Sequence, residues 1–274
     1  MKKTLSLLVL LFAFGCTDDP NTFFSLGEFR AIALHADIPE IDGTSVTPTA
    51  VLITPYISDI TAGGRNVSLT IHACVDPGLE LGNEPVCDLT SSSTQTIAYS
   101  DVNTSILGSR LTGALPSFTV NVPAGLLSQQ TAQTKFNGIN YLITVDFTAG
   151  TDSASVYKRI VVSERTTKNH NPKIQDILLN GNATGNLEDK DVLTIDVASS
   201  FGPETFDYLD LDGQQTQKKE KYTISWFSYK GTTDLSRAYL DEKTKFKINK
   251  DATNPFVVAI LRDDRGGIDF QLHE

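Results

Sequence analysis

Apolar positions along the chain come in short runs, and most of them alternate with polar ones. Val192-Leu193-Thr194-Ile195-Asp196-Val197 has the two-residue period of a strand with one buried and one solvated face. Comparable segments rich in Val, Ile, Thr, Phe and Tyr recur, separated by Gly, Pro, Asn, Asp and Ser, which is how strands and tight turns punctuate a sequence. In the first half this pattern predicts strands over 29–36, 49–54, 67–74, 95–99, 117–122, 141–147 and 155–162, with one short helical turn within 123–130. In the second half it predicts strands over 173–179, 192–197, 222–227, 244–248, 256–261 and 268–272. Asp263-Asp264-Arg265-Gly266-Gly267 lies between the last two and reads as a hairpin turn.

Residues 163–172 read Ser-Glu-Arg-Thr-Thr-Lys-Asn-His-Asn-Pro, polar throughout and closed by an Asn-Pro break signal. That places a domain boundary there. Six or seven short strands on each side suit an all-β protein of two tandem immunoglobulin-like β-sandwiches, over 28–165 and 170–274, each with its own core. Trp226, the lone Trp, sits on a predicted central strand and is expected to fill the second core.

The N-terminus differs in kind. Lys2 and Lys3 precede an apolar stretch from Leu5 to Phe14, and the chain turns polar directly after Gly15 and Cys16. A basic start, a short apolar core and a small residue before a cut form the secretory signal pattern; the run is too short to span a bilayer, which takes about 20 residues. Ala13-Phe14-Gly15-Cys16 resembles the lipobox of bacterial lipoproteins, although Leu is more usual at Ala13 and a small residue at Phe14. The resemblance implies a signal peptide over 1–15, acylation of Cys16 and a short lipidated tether over 16–27. Thr17, where an Asp would favour the inner membrane, implies the outer membrane of the cell envelope.

The formal net charge is −10, and loss of residues 1–15 removes two lysines and takes it to about −12. Such an acidic surface argues against nucleic acid as a partner and against direct binding to anionic headgroups. Two cysteines remain after the anchor, Cys74 and Cys87. In an oxidising compartment an even pair reads first as a disulfide. The residues between them include Pro77, Gly78, Gly82, Asn83 and Pro85, the chemistry of a loop. A metal site is the rival reading and is poor, because His72 is the only nearby His.

Two further motifs carry a resemblance. Ala73-Cys74-Val75-Asp76-Pro77-Gly78 and the turn Arg262 to Gly267 are similar to motifs in the tandem immunoglobulin-like or PKD-like domains of bacterial surface lipoproteins. The likeness covers most of 28–274 and implies a fold and an address, not an activity.

Catalytic signatures are sparse. There is no Gly-x-Ser-x-Gly and no His-Glu-x-x-His. His35, His72, His170 and His273 are scattered singly. His72 and Cys74 lie two apart and would share a strand face, a weak cue for a Cys–His nucleophile that Cys87 outcompetes. Gly63-Gly64 and Gly266-Gly267 lack the Lys-Ser/Thr partner of a phosphate loop. Asp207, Asp210 and Asp212 form a cluster able in principle to hold calcium, a hard ion wanting oxygen ligands, although the spacing is not that of an EF-hand; a solvated loop face is the plainer reading. Glu188, Asp189 and Asp191 form a second acidic group. No pair of carboxylates stands out for glycoside chemistry.

The sequence thus predicts a non-catalytic binding or structural module, held to the membrane by its N-terminal lipid, without a cofactor unless calcium, and with a protein or glycan partner. Loops 199–220 and 74–93 are the expected contact surfaces. The alternatives are an accessory subunit of an envelope complex and a carboxylate-dependent hydrolase.

Overall fold

The computed structural model of the chain describes residues 22–60, 63–78 and 85–274. The signal peptide, Cys16 and the beginning of the expected tether lie outside the described residues. In the first half the strands are β1 (Arg30–Ala36), β2 (Glu40–Asp42), β3 (Thr49–Ser58), β4 (Asn66–Val75), β5 (Gln95–Asn103), β6 (Thr112–Ala114), β7 (Phe118–Val122), β8 (Ile139–Ala149) and β9 (Asp152–Ser163), with one short helix α1 (Ala132–Asn137). In the second half they are β10 (Ile174–Leu179), β11 (Val192–Val197), β12 (Thr205–Leu209), β13 (Gln215–Lys219), β14 (Thr223–Tyr229), β15 (Gly231–Thr233), β16 (Arg237–Tyr239), β17 (Thr244–Ile248), β18 (Phe256–Arg262) and β19 (Ile268–His273). The fold is all-β, built of packed, mostly antiparallel sheets with no closed barrel.

In the first half a sheet ordered β2-β9-β8-β4-β5 faces a second built on β1-β3-β6, with β7 also paired to β3. The alternating side chains of β4 and β8 send Val67, Leu69, Ile71, Ile143, Val145 and Phe147 into the space between the sheets, where they meet Val51, Ile53 and Val120. β3 runs through Pro55 to Ser58, past the end expected at Thr54. Residues 49–53 pair with β7 and residues 56–58 with β6. The Pro55 carbonyl accepts from the Leu115 N–H at 2.8 Å, so its ring nitrogen points the same way, into the change-over between those two partners. A missing donor costs little in that gap.

In the second half β10-β11-β17-β15 faces β16-β14-β18-β19. Trp226 fills the space between them with Ile224, Phe246, Leu193 and Leu261, as expected for the lone Trp. The hairpin β18–β19 forms around residues 263–267, also as expected.

The two halves are not separated by a free linker. In β18 the residues Val257, Ala259 and Leu261 face the second core, while Phe256, Val258 and Ile260 face the opposite way. There they pack with Phe227 and Ile268 against Phe24, Leu26, Ile32 and Ala33. The continuous run Phe256-Val257-Val258-Ala259-Ile260-Leu261 is therefore apolar because both of its faces are covered, as in strands buried from two sides. Tyr56 of β3 stacks on Phe270 of β19 with ring centroids 4.2 Å apart. A third apolar cluster thus joins the halves.

Two boundaries change accordingly. The expected tether over 16–27 is packed in its described part: the Leu26 N–H bonds to the Ser228 carbonyl at 2.9 Å, and Phe24 and Leu26 are buried. Their apolar side chains have a face of the second half to cover. The polar segment 163–172 is not a solvated connector either, since Ser163, Arg165 and Asn169 are buried. Its polarity serves a hydrogen-bonded network at the junction.

Candidate functional site

Cys74 and Cys87 are joined in a disulfide, with Cα atoms 5.8 Å apart. Both sulfurs pack on Leu142. The bond rules out a Cys74–His72 nucleophile, and the His72 ring instead shares a hydrogen bond with the Thr96 hydroxyl at 3.1 Å. Arg159 clamps the loop by donating to Asp76 at 2.6 Å.

The calcium reading of Asp207, Asp210 and Asp212 does not fit the geometry. Residues 199–220, expected as an open loop, contain the hairpin β12–β13. One Asp210 carboxylate oxygen accepts from the backbone N–H groups of Asp212 and Gln214 at 3.0 and 2.8 Å, so it builds the turn that Gly213 closes with φ +75°. Asp207 accepts from Gln217 across the hairpin. Among the described residues no group of three or more His, Cys, Asp or Glu is placed to hold a metal. The second acidic group is also spent locally: Asp191 accepts from Asn180 and from the Glu188 N–H, and Asp189 from the Ile248 N–H. The hairpin itself docks on α1, where the Asn137 amide both donates to the Leu209 carbonyl and accepts from its N–H.

His170 lies exposed beside Glu204, and His273 is partly buried beside the Gly185 carbonyl. His35 is half-buried, and burial together with the nearby Lys158 ammonium lowers its pKa.

What the sequence did not reveal is a buried polar network at the junction. Glu40 of β2 is fully enclosed. It accepts from Arg265 at 2.7 Å and from the Asn169 N–H at 3.0 Å, takes a short hydrogen bond from the Ser163 hydroxyl, and pairs with Arg165 at 3.1 Å. Arg265 also reaches Glu220 at 3.0 Å and lies over the Phe206 ring at 4.4 Å. The hairpin tip that carries Arg265 is fixed by Asp263, which accepts from the N–H groups of Arg265 and Gly267 and from the Asn169 amide. Gly267 has no room for a side chain, since a Cβ would stand 2.1 Å from Asp263 and 2.9 Å from the His170 carbonyl. Burial raises the pKa of both Glu220 and Asp263.

Beside this network a cleft of about 770 Å³ opens between the halves, within the size range of small-ligand sites. β1 and β9 form one wall; β14, β16 and β18, with the segment around Phe24 docked on β14, form the other. Strand register puts its polar groups together. Ser225 pairs with Arg237, and Thr223 with Arg262, so all four share the face of the sheet that turns toward the first half. Arg262 donates to the Ser225 hydroxyl at 2.9 Å, and Arg237 lies over the Phe24 ring at 5.7 Å. Neither arginine has a carboxylate within ion-pair distance among the described residues. Burial, and then Arg237, lower the Arg262 pKa to about 10. From the first half comes Lys158, buried and bonded to the Gly266 carbonyl, its pKa lowered to about 8 mainly by burial. A cationic cleft in so acidic a chain was not visible in the sequence, because Lys158, Arg237 and Arg262 stand on three strands spread over about a hundred positions.

The chain matches no protein-family model and no curated protein. Among solved structures it is similar at a low level to the crystal structure of red sea bream transglutaminase, at 11% identity over 89% of this chain and 32% of that one, with a TM-score of 0.27. The chain spans about a third of that protein's length, and so weak a likeness carries no argument about activity.

Proposed function

We propose that the protein is a non-catalytic binding module of the cell envelope, anchored by acylated Cys16 and holding its ligand in the cleft between its two sandwiches. The observation that carries this reading is the cleft itself, lined by Arg237 and Arg262, neither of which has a carboxylate at ion-pair distance among the described residues. Sites of this kind combine apolar walls with a few converging polar groups. The address rests on the sequence of residues 1–16, with the outer membrane favoured. Phe24 lines the cleft only eight positions after Cys16, a reach of at most roughly 28 Å for extended chain, so an anchored molecule would hold the cleft close to the bilayer.

Photocrosslinking in intact cells tests this proposal. A photoreactive residue at Tyr157, which lines the cleft and is partly exposed, is expected to yield an adduct in the membrane fraction. The same residue at Leu211, exposed on the far hairpin, is expected to yield none. Absence of an adduct at Tyr157, or equal labelling at both positions, would remove the cleft as the binding site. Cys16→Ser tests the anchor separately and is expected to abolish palmitate labelling.

A further inference from the structure

The cleft's charge points to the chemical class of its ligand. Among the described residues five cationic side chains line it: Arg30, Lys158, Arg159, Arg237 and Arg262. Arg159 is matched by Asp76 at 2.6 Å, and Arg30 lies in the field of Glu28. That leaves Lys158, Arg237 and Arg262. Arg237 and Arg262 repel one another, as do Arg262 and Lys158. Among the described residues the one acid lining the cleft is Asp263, and both its oxygens already accept hydrogen bonds from Arg265, Gly267 and Asn169. Three cations against one carboxylate leave an excess of about two positive charges. Like charges gathered at a low-dielectric wall are costly unless an anion joins them.

Building on the reading of the cleft as a binding site, we propose that it binds a phosphate monoester, gripped by Arg237, Arg262 and Lys158, with the organic group laid toward Phe24 and Phe227. A phosphate monoester carries between about −1.5 and −2 at neutral pH, which balances that excess; a single carboxylate or a phosphodiester balances half of it. The guanidinium fork matches phosphate oxygens two at a time, while lysine supplies a compact charge. The two arginines come from the second half and Lys158 from the first, so a bound phosphate bridges the halves. Phe24 and Phe227 are in contact, with ring centroids 5.2 Å apart, and form the apolar end of the same wall.

The test is calorimetry on the full lipidated chain in nonionic detergent at low salt, with phenyl phosphate, inorganic phosphate, benzoate and phenol as probes. Phenyl phosphate is expected to bind best, inorganic phosphate more weakly, benzoate at least tenfold more weakly than phenyl phosphate, and phenol not measurably. Arg237→Gln and Arg262→Gln are each expected to weaken phenyl phosphate at least tenfold. Arg237 is exposed on a short edge strand, so its variant keeps the fold even where Arg262→Gln perturbs it. Lys245→Gln, an exposed cation on β17, is expected to change nothing. No binding of phenyl phosphate at millimolar concentration, unchanged binding in Arg237→Gln, or benzoate binding as tightly as phenyl phosphate would each overturn the proposal. A crosslinked adduct at Tyr157 without phosphate binding would sink only the ligand class. Loss of both results would sink the cleft as a site.

Discussion

Arg265 offers the sharpest test of how the halves are joined. Its side chain is enclosed and pairs with two almost fully buried carboxylates, Glu40 at 2.7 Å and Glu220 at 3.0 Å. Arg265→Met keeps much of the apolar stem against Phe206 but leaves both carboxylates short of their shared cation. Removing one partner from a buried pair costs about 3–5 kcal/mol, because the charge left behind has lost its water and gained nothing in return. The loss has a sign with pH. The Glu220 pKa is already raised by burial, and without Arg265 it rises further. A carboxyl with a raised native pKa favours folding below its ordinary range and loses that contribution as pH climbs through the native value. The variant is therefore expected to be several kcal/mol less stable than wild type at pH 8 and closer to it at pH 5. Urea unfolding followed by far-UV circular dichroism and by Trp226 fluorescence measures this, with Trp226 reporting the second core alone. A loss under about 1 kcal/mol, or one that does not vary between pH 5 and pH 8, would refute the argument that the network is buried and tightly coupled.

Three further outcomes follow from the same structure. Replacing Cys74 and Cys87 together with Ala is expected to cost about 3 kcal/mol on the chain-entropy model for a loop of this size, read as a lower urea midpoint with the fold retained. Residues 170–274 expressed alone would bare Phe227, Phe256, Val258, Ile260 and Ile268, each contributing on the order of 2 kcal/mol when covered; the fragment is expected to bind a hydrophobic dye and self-associate, and a soluble, cooperatively melting fragment would show that the third cluster is dispensable. Because the Lys158 pKa is lowered to about 8, the native state resists its proton and stability should rise as pH goes from 8 toward 10. Lys158→Met is expected to flatten that rise, measured by urea titrations at each pH.

Much of the fold was legible in the sequence, because period-2 alternation reports one-sided burial. β11 ran from Val192 to Val197 as expected, and Trp226 lay in the second core. Short strands escaped notice: β2, β6, β15 and β16 span three residues each, too few to show a period. β12 and β13 read as loop because Asp207, Gln215, Gln217 and Lys218 are polar on a ribbon with little to cover. The two-sided burial of β18 was written in its six consecutive apolar residues, since a strand with one solvated face would have alternated. The junction was not legible. Ser163, Arg165 and Asn169 look like linker chemistry in isolation, and nothing local says that Glu40 and Arg265 meet.

The bond between Glu40 and Arg265 spans 225 positions of chain, and that separation sets an order of events. Contacts between distant segments form late, since the intervening chain must be closed before they can contribute. During synthesis β1 emerges long before β18 and β19, so Ile32 and Ala33 must wait for their cover. Exposed apolar surface of this kind is where intermediates aggregate. A ribosome-stalled or truncated chain ending before residue 256 would complete the first sandwich yet leave this seam open, which makes the last hairpin the step that commits the molecule to its native state.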